Sequence, residues 1–69
     1  MPREDAIAVE GIVVEVLGEG LFRVELANGH RLVAHTARRQ RPQAAEMAVG
    51  NKVRLELSPF DMSVGRILF

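Results

Sequence analysis

With 69 residues, no cysteine and a formal net charge of zero, the chain has room for one small domain and excludes disulfides and thiolate zinc sites. A chain this short buries only about 60% of its unfolded surface, so an enclosed catalytic cleft would compete with the core for the same apolar side chains. The zero conceals a division: residues 1–30 carry two Arg against six acidic residues, net −4, residues 31–54 carry five Arg and one Lys against one Glu, net +5 with His35 counted neutral, and the rest is −1.

From Ile7 to Leu17, the residues Ile7, Val9, Ile12, Val14 and Val16 follow a strand period that slips by one across Glu10-Gly11. The slip predicts a bulge or bend at Gly11. Gly18-Glu19-Gly20 reads as a turn. Phe22, Val24 and Leu26 then alternate with Arg23 and Glu25 as a half-buried strand, which makes Phe22 a core residue. Asn28-Gly29 signals a hairpin, and His30–His35 returns with Leu32 and Ala34 on one face and Arg31, Val33 and His35 on the other.

Residues 36–49 fit neither period. Thr36 is expected to cap a short turn over Ala37–Gln40, Pro42 to disfavour helix at Arg41, and Gln43–Met47 to form a second weak turn. Asn51–Leu57 is a fourth strand with Val53, Leu55 and Leu57 inward and Lys52, Arg54 and Glu56 outward. Ser58-Pro59-Phe60-Asp61 breaks it, and Arg66–Phe69 supplies a fifth. The expected fold is all-β: a five-stranded Greek-key barrel of the oligonucleotide-binding type, with a short helical or loop insertion between strands three and four. An SH3-like barrel is the competitor, and the position of the insertion favours the former.

Little here suggests catalysis. His30 and His35 differ by five positions and project from opposite faces of a continuous strand, which argues against a shared metal. Glu10 with Glu15, or Glu56 with Asp61, would pair only if the fold brought them together. Ser58 and Ser63 read as turn residues, and Gly18 and Gly20 do not form a phosphate loop. No enzyme activity, metal or cofactor is expected.

The basic band is the candidate site. Arg38, Arg39 and Arg41 cluster in the segment least committed to the core, while Arg31, Lys52 and Arg54 take polar positions on strands that look adjacent. Such groups bind phosphates through charge-assisted hydrogen bonds with salt-dependent affinity. Alternatively they are solubilising, paired with Glu25, Glu46 or Glu56. Only Phe22, Phe60 and Phe69 are aromatic, and Phe60 could plug a barrel end or meet a base. This shortage of stacking platforms points to a folded RNA surface rather than a long single strand.

The runs Glu10–Leu17, Leu21–His30 and Leu32–His35 are similar to the first three strands of bacterial translation initiation factor one. Gly50–Asp61 and Gly65–Ile67 resemble its fourth strand, the following turn and its last strand, so the resemblance covers residues 4–67. It implies a single S1-like oligonucleotide-binding domain over residues 1–69 and a protein monomeric when free. It also implies binding to the decoding region of the small ribosomal subunit, on 16S ribosomal RNA beside ribosomal protein S12. There the family occludes the aminoacyl-tRNA site and helps initiation factors two and three select the initiator tRNA. His35, Arg39, Arg41 and Arg66 fall where the family has His, Lys, Arg and Arg, and Arg23 is a further RNA contact the resemblance implies.

Departures concentrate in one segment. Thr36-Ala-Arg-Arg-Gln-Arg41 stands where the family usually has Ile-Ser-Gly-Lys-Met-Arg, and Pro42-Gln-Ala-Ala-Glu-Met47 where it has Lys-Asn-Tyr-Ile-Arg-Ile. Charge survives in the first run. In the second, Glu46 reverses an Arg, and the apolar anchors shrink to Ala44 and Ala45. Other readings are a cold-shock-like or antitermination RNA-binding module, which would bind free single-stranded RNA, and a protein-interaction domain, indifferent to salt and RNA. A cytoplasmic protein is expected, because no apolar run approaches the ~20 residues of a membrane span and the opening Met1–Asp5 lacks a secretory segment.

Overall fold

A computed structural model describes residues 7–58 and 61–68. Its strands are β1 (Ile7–Gly18), β2 (Leu21–Leu26), β3 (Arg31–His35), β4 (Lys52–Ser58) and β5 (Asp61–Leu68). They close into a barrel in the order β1-β2-β3-β5-β4, every pairing antiparallel except β3 with β5. A single 3₁₀ turn (Arg38–Gln40) and α1 (Arg41–Ala44) fill the insertion between β3 and β4. This is the expected oligonucleotide-binding architecture. β1 pairs with β4 over its first half and with β2 over its second, so closure leaves only short edges among the described residues.

The core is the inward row of each strand: Val13; Phe22, Val24 and Leu26; Leu32 and Ala34; Val53, Leu55 and Leu57; and Ile67. Alternation predicts all of these on β2, β3 and β4. On β1 the pattern misleads. Val9, Gly11 and Val13 form one unbroken inward row, while Ile12 and Val16 face solvent at 46% and 50% exposure. There is no slip at Gly11. The irregularities lie further on, between Val13 and Glu15 and between Val16 and Gly18. Gly11 is instead a site of close approach, where an added Cβ would sit 2.5 Å from Val24 Cγ1 and 3.0 Å from the Glu25 carbonyl oxygen. Val24 is fully buried and stiff at χ1. Gly11→Ala should therefore destabilise the domain by about 1–3 kcal/mol, read as a lower denaturant midpoint. An unchanged midpoint would mean that β1 and β2 can separate freely here.

The β2–β3 hairpin also differs in detail. Only Gly29 takes positive φ (+87°). Gly29 N donates to Leu26 O at 2.9 Å and Leu26 N to His30 O at 2.8 Å, so three residues form the loop, with glycine in the left-handed position. His30 N donates to Asn28 Oδ1 at 3.0 Å, which ties the turn from its side chain.

The insertion corrects several expectations. Thr36 caps nothing: Ala37 holds the cap position without a side-chain bond. Thr36 is buried, its N donating to Gly20 O at 3.0 Å and its Oγ1 to the same oxygen at 3.4 Å, so it fastens the β1–β2 turn to the end of β3. Arg41 is helical despite preceding Pro42 (φ −60°, ψ −33°), because its N–H still donates to Arg38 O. Pro42 lies in the first turn of α1, where its missing N–H costs nothing. Of the two anchors, Ala44 is buried and Ala45 is exposed, while Met47, not expected as an anchor, packs on the core. β5 starts five residues before Arg66 and includes Ser63, and Ser58 ends β4, so neither serine is a turn residue. Pro59, Phe60 and Phe69 lie outside the described residues.

Candidate nucleic-acid interface

All five strands contribute to the relevant outer surface. In register, Leu21 of β2 faces His35 of β3, His35 faces Arg66 of β5, and Arg66 faces Glu56 of β4. The next row is Glu15, Arg23, Val33 and Val64. His35 and Arg66 thus stand side by side from strands distant in sequence, both exposed. Three residues beyond His35 the chain enters the 3₁₀ turn carrying Arg38 and Arg39, and Arg41 opens α1. Arg41 leans over the β1–β2 turn, since its Nε would lie 3.5 Å from a Cβ added at Gly20. One end of the barrel therefore gathers His35, Arg38, Arg39, Arg41 and Arg66.

Arg31 and Arg54 are not neighbours, because β5 lies between β3 and β4. Arg31 faces Glu25 near the hairpin, while Arg54 faces Glu10 on one side and Leu68 on the other. The eight candidate residues thus divide into a cluster at the helical end and three more scattered over the wall, Arg23, Arg31 and Arg54.

Ion pairing sharpens the division. Arg23 Nε donates to Glu15 Oε1 at 3.2 Å and Arg31 Nε to Glu25 Oε1 at 2.8 Å. Arg41 Nη1 and Arg66 Nη2 each stand 3.9 Å from a carboxylate oxygen, of Glu19 and Glu56 respectively, longer than a hydrogen bond. Among the described residues Arg38, Arg39, Lys52 and Arg54 make no ion pair. All these groups are solvated, so the pairs add little to stability but do decide where net positive charge remains. Of the pairings expected for the basic band, only that of Arg31 with Glu25 forms; Glu56 lies beside Arg66 instead, and Glu46 pairs with nothing described. The glutamates that sequence reasoning missed are Glu19, beside Arg41, and Glu15, whose partner depends on an irregularity in β1.

The described residues hold no cluster of three or more His, Cys, Asp or Glu able to bind a metal ion, and no helix among them is long and apolar enough to cross a membrane. A rigid barrel with a cationic end is suited to holding phosphates by position and charge.

The whole chain, residues 1–69, matches the family model for translation initiation factor 1A / IF-1. Among solved structures it is similar to translation initiation factor one from the Wolbachia endosymbiont of Brugia malayi, with 31% identity and a TM-score of 0.73 over 94% of this chain and 77% of that one. It is also similar to YjeQ from Thermotoga maritima, with 26% identity and a TM-score of 0.61 over 91% of this chain, which spans only 22% of that protein.

Proposed function

The chain belongs to the translation initiation factor 1A / IF-1 family, a family of RNA-binding translation factors that are not enzymes, and from that premise we propose that it binds the decoding region of the small ribosomal subunit and occludes the aminoacyl-tRNA site. The observation that carries this reading is the cationic end of the barrel. Arg38 and Arg39 are exposed and make no ion pair among the described residues, on a turn that leaves β3 just after the His35–Arg66 pair. Guanidinium groups so placed give charge-assisted hydrogen bonds to phosphates and release counterions. His35 is exposed at the strand end and is the proposed contact to a base edge.

Bound there, the domain acts by occupying space and by adding binding energy to one arrangement of the subunit. It favours whichever state it binds more tightly. Ribosomal protein S12 is the proposed protein neighbour, and initiation factors two and three share the effect on initiator-tRNA selection. No bond is made or broken.

The test is fluorescence anisotropy with purified small subunits across a salt series, with an established initiation factor of this family as competitor. We expect saturable binding, displaced by the competitor and weakened by salt. Absence of saturable binding at low-micromolar protein, with circular dichroism still showing a folded β domain, would overturn the reading.

A further inference from the structure

Arg23 and Arg31 lie on the same outer sheet as His35 and Arg66, yet a carboxylate holds each of them through Nε. Two features of the backbone put those carboxylates in place. The β2–β3 register sets Glu25 directly opposite Arg31. On β1, Val13 pairs with Val24, so a regular ladder would set Val14 against Arg23; the register shift leaves Val14 out and sets Glu15 there instead. A bulge that re-aims one side chain is a known use of that device.

We infer that Glu15 and Glu25 are specificity-determining residues that hold Arg23 and Arg31 as neutral pairs and confine phosphate recognition to the helical end of the barrel. A guanidinium with a carboxylate at hydrogen-bond distance presents a dipole rather than a net charge to anything several ångströms away. A phosphate approaching it meets that carboxylate's repulsion and finds Nε already taken, with only the Nη donors left. Arg41 and Arg66 stand 3.9 Å from their glutamates and make no hydrogen bond to them. The result is a domain that binds RNA where several phosphates converge on one end, and that ignores an arbitrary strand laid across its β2–β3 face.

This inference rests on the RNA-binding reading above, and its test separates the two. Binding of a labelled oligouridylate and of small subunits would be measured for the wild-type chain, Glu15→Gln/Glu25→Gln, each single variant, and Glu10→Gln. Glu10 makes no ion pair among the described residues and serves as the charge control. The double variant should bind oligouridylate about tenfold more tightly, with a salt slope steeper by about 1.4 for two added cationic contacts to a single strand. Removing the arginines as well (Arg23→Gln and Arg31→Gln) should cancel the gain. Thermal melts should stay near wild type, because all four side chains are substantially exposed. No gain in the double variant, or an equal gain in Glu10→Gln, would overturn the inference while subunit binding by the wild-type chain stands. Failure of the wild-type chain to bind subunits, with no RNA binding by any variant, would overturn both.

Discussion

Phe22→Ala should bring this domain close to its unfolding midpoint in water. Phe22 is 2% exposed, pairs in register with Ala34 and Val16, and is among the largest fully buried side chains. Truncating a buried phenylalanine costs about 3–5 kcal/mol, because the transfer free energy is lost and a cavity remains. At roughly 0.05–0.15 kcal/mol per residue, a chain this size holds only about 3–10 kcal/mol in total. Val16→Ala, at the facing position on β1 but half exposed, should cost less than about 1 kcal/mol. Urea unfolding followed by circular dichroism would measure both. A loss below about 1 kcal/mol for Phe22→Ala would show that the barrel interior repacks around the missing ring.

The second large effect concerns binding. Arg38→Ala/Arg39→Ala should weaken small-subunit binding roughly 100-fold, taking about 1.4 kcal/mol for each charge-assisted contact. The salt slope should flatten by about 1.4–1.8 as two phosphate contacts disappear. Stability should hardly change, since neither side chain has an ion-pair partner among the described residues and the 3₁₀ turn buries none of its residues. Arg23→Ala/Arg31→Ala removes the same formal charge from side chains already held by glutamates, and should leave affinity within about threefold. Anisotropy titrations of both double variants against one subunit preparation would compare them directly. Equal losses would mean that net charge, and not its placement at the helical end, governs binding.

Some of this was open to inspection along the chain. Strands β2, β3 and β4 alternate without interruption, so Phe22, Val24, Leu26, Leu32, Ala34, Val53, Leu55 and Leu57 declare their inward faces. Asn28-Gly29 marks the hairpin, and the aperiodic run after His35 marks the insertion. On β1 the same logic fails because Gly11 has no side chain to register as apolar. The inward row Val9-Gly11-Val13 therefore looks broken, while Ile12, Val14 and Val16, none of them buried, imitate a core face. The strand carries apolar residues on both sides, and only its two partners decide which side is inner.

The candidate site divides in the same way. Local sequence establishes the basic composition of residues 31–54, the clustering of Arg38, Arg39 and Arg41, and the five-strand barrel, because period, turn chemistry and charge are properties of near neighbours. Tertiary structure alone decides that Arg66 joins His35 while Arg54 does not, since strand order inserts β5 between β3 and β4. It alone decides that Glu15 meets Arg23, through a bulge one residue long. The physical reason is common to both: closure of the barrel fixes which strands meet and in what register, and a cation's effective charge depends on the carboxylate brought within hydrogen-bond distance, however far away that carboxylate lies in the chain.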